Sequence, residues 1–319
     1  MIRFILFFLV LISIHLEGEA QQSALSALQY LDYSRVIGAT AGLNGTNIAS
    51  LTYRDQWSNL PGRPVYYKGG WSSPIKSIGG AYSIHGSVDR IGLQTSTAFR
   101  IGYNQVFPTE ILLISAGVGL GFDQRSWDGR LIRTPDGIYG SQGFDHMDPN
   151  LTLGNMSHQS FDLLPSLFIQ SQYVEVGFEF GIPFLESSNP VKNVFQKNYT
   201  LRTLIFKEFT VSKYVISGQL FVYSDFIKTQ SEILLKTEYN GSIFGAVSVR
   251  GYDKNSFDAM GLHLGIKVYA KLWLMIGVEL PINILQGQIS GLNQDFGLKY
   301  VWNAKNSKTR FPVIFNPRW

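Results

Sequence analysis

The sequence predicts an all-β fold: a transmembrane antiparallel β-barrel of about 14 strands, with a long extracellular loop after the fifth. Three observations carry that expectation. The first is alternation. In Val174-Glu175-Val176-Gly177-Phe178-Glu179-Phe180-Gly181 every even position is apolar and every odd one acidic or glycine. Leu262 to Val268 and Leu272 to Leu280 alternate the same way, and a period of two marks a strand with two unlike faces. The second is length, since the periodic runs extend about 9 to 13 residues, which suits a tilted membrane crossing better than a mean soluble strand of about 5 to 6. The third is that tight and longer connections alternate, as bacterial barrels do with periplasmic turns and extracellular loops. Composition agrees: 45% hydrophobic and 14% aromatic residues accompany only 16% charged ones, whereas soluble domains carry about 25% charge.

Along the chain, residues 1–20 read as a signal peptide. Arg3 supplies the positive end, Phe4 to Ile14 an uninterrupted apolar stretch, and Gly18-Glu19-Ala20 a small-residue cleavage site before Gln21. Residues 21–47 are expected as a periplasmic N-terminal segment, and 48–302 as the barrel. Its strands read near 48–56 and 65–73, then 77–85 after the turn Pro74-Ile75-Lys76. Strands near 91–106 and 110–122 flank Phe107-Pro108-Thr109, and the longest connection follows, from Asp123 to Gln159. Pairs then read at 160–169 and 173–182 around Gln170-Ser171-Gln172, and at 198–209 and 214–223 around Thr210 to Lys213. Next come 229–239 and 242–250 around Asn240-Gly241, and 257–269 and 272–280 around Ala270-Lys271. A last strand reads at 293–302, leaving 303–319 as a C-terminal tail. Trp57, Tyr66, Tyr67, Trp71, Phe107, Tyr173, Tyr214, Tyr239, Tyr269 and Trp302 lie near strand ends, where membrane interfaces favour such rings.

Several function classes drop out. The apolar content excludes a disordered chain, and no apolar run approaches the ~18 residues of a membrane helix. The net charge is +4, but its 27 Lys and Arg are scattered, so no nucleic-acid face is expected. With no cysteine there are no disulfides, thiolate nucleophiles or Cys-ligated metals. Gly117-Val118-Gly119-Leu120-Gly121 lacks the spacing and following helix of a dinucleotide site; its glycines read as room inside the lumen or as close strand packing. Asp123, Asp128, Asp136, Asp145, His146 and Asp148 do not match calcium-loop spacing. His85, His146, His158 and His263 have no metal-ligand spacing, and no G-x-S-x-G elbow occurs. A rim hydrolase would need one of the first three histidines beside a partner. No catalytic residue, metal or cofactor is expected, and the chain reads as not an enzyme.

Gln29-Tyr30, Ala39-Thr40-Ala41-Gly42, Leu51 to Trp57 and Gly62-Arg63-Pro64 follow one another in the order seen at the start of a particular barrel family. Ile78-Gly79-Gly80 and Asp89-Arg90-Ile91-Gly92 continue the pattern. Over about residues 29 to 122 the chain resembles the PorP/SprF family of the type IX secretion system and gliding machinery, with Tyr53, Arg54, Gln56 and Trp57 as the family signature. It departs at Ile37-Gly38, where the family usually has Asn-Pro, and in carrying residues after its last strand.

The resemblance implies an outer-membrane barrel that supports export or surface anchoring of a cognate secreted, adhesin-like protein through that protein's C-terminal domain. It also implies periplasmic contacts with the secretion or gliding complex. The alternative is a passive channel or hydrophobic-solute transporter; lumen filling and an inserted plug separate the two. Lumen candidates are Glu175, Glu179, His263, Lys267, Trp273 and Glu279. Ile276 should face lipid, and Glu279→Gln is expected to leave the fold intact. The long loop carries Trp127, Arg130, Arg133, Tyr139 and Phe144, residue types enriched at interfaces, and is the expected docking surface for the secreted partner.

Overall fold

Alternating side chains become strands whose two faces meet different surroundings. The computed structural model describes residues 27–140, 143–148, 151, 153–187, 197–252, 256–282 and 291–303. The leader expected at 1–20 and nearly all of the tail expected at 303–319 lie outside them. The chain forms β1 (Thr46–Asp55), β2 (Val65–Ile75), β3 (Gly80–Ile91), β4 (Gln94–Pro108) and β5 (Leu113–Asp128). A short pair follows, β6 (Ile138–Gly140) and β7 (Gly143–Asp145), then β8 (Asn155–Gln170), β9 (Glu175–Glu186) and β10 (Thr200–Val211). The rest are β11 (Tyr214–Ser224), β12 (Thr229–Tyr239), β13 (Ile243–Tyr252), β14 (Ser256–Tyr269), β15 (Leu272–Pro281) and β16 (Asn293–Asn303).

β6 and β7 pair antiparallel only with each other, the rest pair antiparallel around one sheet, and β16 returns to β1 from Thr46↔Asn303 to Asp55↔Gln294. The result is a closed 14-stranded barrel. Closure satisfies every strand edge, which a bilayer demands because it offers no water to unpaired backbone groups. Both ends of the described barrel wall lie on the side of the turns at 76–79, 109–112, 171–174, 212–213, 240–242 and 270–271. Asn240 and Gly241 adopt φ of 50° and 61°, the left-handed pair that a tight hairpin needs.

Several placements differ from the sequence reading. The connection expected from Asp123 to Gln159 is shorter, because β5 runs to Asp128 and β8 begins at Asn155, so Trp127 lies in the wall, paired with Gln94 and Met156. The third strand runs to Ile91 rather than ending at 85, so Asp89 to Ile91 lie in the wall and the turn is Gly92-Leu93. Pro74 and Ile75 likewise belong to β2. Twist and pairing with β4 override the local turn signals there.

The faces sort as a membrane barrel requires. Leu262, Leu264 and Ile266 on β14, and Leu274, Ile276, Val278 and Leu280 on β15, project outward. Glu175, Glu179, His263 and Glu279 are buried inside, and Lys267 and Trp273 share their side. Outward aromatics ring the short-turn end at Phe107, Tyr173, Phe209, Tyr214, Tyr239, Tyr269 and Tyr300. At the other end Phe99, Phe122 and Phe161 form one row, and the next outward row is polar: Thr97, Gln124 and Gln159. Tyr66, expected in a girdle, instead lines the lumen; its neighbour Tyr67 faces out.

The larger correction concerns the N-terminal segment. Residues 27–45, expected on the periplasmic side, lie inside the barrel. Three short 3-10 turns, Gln29–Leu31, Tyr33–Arg35 and Gly38–Thr40, fold them into a plug. Leu28, Leu31, Ile37 and Ala39 are fully buried. Their apolar surface is removed from water by the lumenal aromatics of the wall, the same driving force that builds a soluble core.

Candidate functional site

The plug seats where the wall is thinnest. A Cβ on Gly117 would meet Ala39 Cα at 3.2 Å, one on Gly177 would meet Ile37 at 3.2 Å, and one on Gly297 would meet Leu28 at 2.9 Å. Of the glycines at 117–121, Gly117 makes room for the plug, whereas Gly119 and Gly121 allow close packing against β4 and β8: a Cβ on Gly119 would meet Ile101 and Leu164, and one on Gly121 would meet Asp162 and Leu164. Around these seats Ile37 and Val36 pack with Phe168, Leu204, Phe206 and Phe221. Leu28 and Leu31 pack with Leu234, Phe244 and Met275. Tyr30 stands edge-on to Phe244 at 5.6 Å and to His263 at 5.9 Å, and burial pushes its hydroxyl pKa well up.

Polar clasps hold the plug in place. Gly38 N–H donates to Glu179 Oε2 at 2.8 Å, a bond that a proline at this position could not make. Arg35 Nη2 donates to Thr52 Oγ1 at 2.5 Å, and Lys68 Nζ donates to the Arg35 carbonyl at 2.8 Å. Burial lowers the Arg35 guanidinium pKa, against the pull of Tyr66, Asp32 and Asp295. Asn104 Nδ2 donates to the Ala39 and Ala41 carbonyls, both at 3.2 Å.

The signature residues converge on the seam that closes the barrel. Arg54 lies opposite Asp295 across β1 and β16. Its Nη1 donates to Asp295 Oδ2 at 2.5 Å, and its Nη2 to Glu279 on β15. Glu279 also pairs with Arg250 at 2.8 Å and accepts from Asn293 Nδ2 at 3.3 Å; Arg250 pairs in turn with Glu232 at 3.0 Å. One guanidinium thus ties the first strand to the last two, in a network almost without exposure. Tyr53 points the other way, its ring 5.0 Å from Tyr67 and 6.2 Å from Phe296. Trp57, at φ 56°, donates its backbone N–H to Asn293 Oδ1 at 3.0 Å, and Gln56 N–H donates to the Pro64 carbonyl at 3.0 Å. Beside them, the Asp55 carboxylate raises the pKa of Arg63 in the following loop.

At the outer end the wall is uneven. β4, β5 and β8 run 15, 16 and 16 residues, whereas β1, β13 and β15 have 10 each. At ~3.3 Å per residue and a ~40° tilt, the extra length raises one side by roughly 14 Å. The connection 129–154 crowns this side, and the β6–β7 hairpin sits within it. Arg133 lies over the Tyr139 ring at 4.6 Å and the Phe144 ring at 4.9 Å. Under them His146 is buried, its Nδ1 3.0 Å from the Tyr139 hydroxyl, which accepts from Thr134 N–H at 2.7 Å. Three of the five expected docking residues therefore form one arginine–aromatic cluster. The other two are tied locally: Arg130 Nη2 pairs with Asp128 at 2.9 Å, and Trp127 Nε1 donates to Gln94 Oε1 at 3.0 Å on β4. The sequence reading missed His146 as the keystone here. It missed the plug too, although Leu28, Leu31, Val36 and Ile37 were apolar residues lacking a strand period.

The histidines make two contacts with serine. His85 Nε2 lies 3.3 Å from Ser34 Oγ, and His263 Nε2 lies 2.9 Å from Ser248 Oγ. In neither does an acid meet the other ring nitrogen, which is buried without a hydrogen-bond partner, so the orienting member of a triad is missing. Among the described residues, no three His, Asp or Glu side chains converge as a metal set.

Comparison with known proteins places a family and a set of barrels beside this geometry. The sequence profile of the type IX secretion system membrane protein PorP/SprF matches residues 19–293, well beyond the motifs near the start. No curated protein matches the chain. Among solved structures, the TodX monoaromatic hydrocarbon channel deltaS2 mutant superposes with a TM-score of 0.48 at 8% identity, covering 86% of this chain and 98% of that one. The KdgM porin superposes at 0.38 with 9% identity, covering 79% and 98%. Outer membrane phospholipase A from Escherichia coli superposes at 0.34 with 10% identity, covering 80% and 90%.

Proposed function

The chain belongs to the PorP/SprF family of type IX secretion system membrane proteins, and on that premise we propose that it is the outer-membrane partner of one secreted surface protein. It supports export or anchoring of an adhesin-like protein by holding that protein's C-terminal domain. The signal peptide at 1–20 carries it to the outer membrane, where it spans by strands. Its short-turn end meets periplasmic components of the secretion or gliding complex. Family and fold suggest a non-enzymatic barrel. The observation that carries the partner reading is the raised wall with its Arg133–Tyr139–Phe144 cluster. Aromatic and arginine side chains held rigid above a membrane are the residue types on which protein interfaces concentrate their energy. The passive channel is the weaker reading, because the plug fills the lumen that a channel needs open.

Replacing residues 131–152 by a short glycine–serine link tests the docking reading. The barrel should remain heat-modifiable in gels, because its 14 strands are untouched, while the secreted partner is lost from cells into the medium. Retention of the partner at wild-type level would move the docking surface elsewhere.

A further inference from the structure

Above the plug, the inner face of the raised wall encloses a cavity of about 110 Å³. Its floor is Gln29, Arg35 and Val36 of the plug; its sides come from β2, β3, β4, β5, β10 and β11. Five cations line it, Arg35, Lys68, Arg100, Arg125 and Arg202, against two carboxylates, Asp89 and Asp123. Much of the acid is already committed. Asp123 shares the Lys197 ammonium with Asp162. Glu179, behind the cavity, takes Arg202 and lies 3.8 Å from Arg100 Nη1. Arg125 makes no ion pair among the described residues.

A second observation concerns orphaned polar atoms. Arg35 and His85 are both more than nine-tenths buried and both line the cavity. Arg35 Nη1 and His85 Nδ1 are nevertheless buried without a hydrogen-bond partner. The Arg35 nitrogen is a donor left unmade, which costs more than it returns and which native proteins rarely leave. His85 Nδ1 is an acceptor, because Ser34 Oγ gives its proton to Asp32 and takes that of His85 Nε2. An excess of positive charge in an enclosed space, with an unpartnered guanidinium nitrogen, is a description of half an ion pair.

We propose that this outer vestibule binds a small oxyanion, a carboxylate or phosphate, admitted from the extracellular side. Arg35 and Lys68 receive it at the floor, and Arg100 and Arg125 at the wall. The ligand would stitch the plug to β2, β4 and β5 through charge-assisted bonds, which are about twice as strong as neutral ones. Anion occupancy and plug seating are then one equilibrium.

The test is thermal unfolding of the mature barrel in an uncharged detergent, titrated with sodium phosphate or sodium succinate against chloride at fixed ionic strength. A saturable rise in Tm is expected for at least one anion; phosphate alone, succinate alone or both then identifies the chemistry. Arg125→Gln removes a charge that holds no other residue, so the variant should fold, and it should weaken the anion's half-saturation about tenfold. Lys68→Gln should weaken it as well. The proposal is overturned if neither anion gives a saturable shift, or if both variants titrate like the wild type.

Discussion

Arg54 illustrates how much a single lumenal residue can carry. It is buried between Asp295 and Glu279, and Glu279 is held by Arg250 and Asn293 as well. Removing the guanidinium leaves Asp295, Glu279 and Glu232 with one remaining arginine, Arg250, in a buried site. Arg54→Met should therefore cost about 3–5 kcal/mol, read as a lower urea midpoint for the heat-modifiable band, and a second change, Glu279→Met, should restore part of it. An undiminished midpoint in the single variant would show that the seam closes without this clasp. The same network corrects an expectation from sequence. Glu279→Gln leaves Arg54 and Arg250 short of negative charge and should be destabilising, although the residue does face the lumen. The lipid side behaves differently. Ile276 projects outward from the middle of β15, so Ile276→Arg should cost about 2–4 kcal/mol in the same assay, whereas Ile276→Leu should be silent.

At the scale of elements, the plug and the hairpin are two solutions to one problem. Each is a segment outside the barrel's strand ladder that must bury its apolar groups somewhere. The plug uses the wall's glycines and aromatics; the hairpin builds its own small core on His146. Ile37 is fully buried against Gly177 and Phe168, which makes the plug sensitive to charge but leaves the wall's ladder intact. Ile37→Asp should then unseat residues 27–43 without unfolding the barrel. Limited proteolysis, with faster cleavage within 27–43 and an unchanged heat-modifiable barrel, is the expected outcome. Protection equal to wild type would mean the plug is held by its polar clasps alone.

Across the whole molecule, the consequence is a lumen occupied by the chain's own N-terminal segment, with the proposed anion site toward its outer end. A barrel of 14 strands passes solutes freely only when its lumen is clear from end to end, and here the N-terminal segment occupies part of it. Wild-type protein in planar bilayers should give little steady current, and deletion of residues 27–43 should raise it severalfold. Large currents from the intact chain would restore the channel reading. The asymmetry of height belongs to this scale too. Short strands around β1, β13 and β15 keep one side near the membrane surface, while β4, β5 and β8 lift the hairpin and the basic vestibule together on the other. The proposed partner contact and the proposed anion site therefore share one half of the outer mouth.

Strand number, the two faces of each strand and the side bearing the tight turns were legible in the residues themselves. The bilayer imposes them locally, as a period of two, a minimum length and closed edges, and each leaves its mark within about ten consecutive residues. Family membership was legible for the same reason, since Tyr53, Arg54, Gln56 and Trp57 stand together at the end of the first strand and just past it. The position of the plug, the ion network behind Arg54 and the cationic vestibule were not. Arg54 reaches Glu279, 225 positions along the chain, and Gly38 reaches Glu179, 141 positions along. Such partners are chosen by strand register and barrel closure, so burial gives these polar residues their meaning only once the wall has curved round to enclose them.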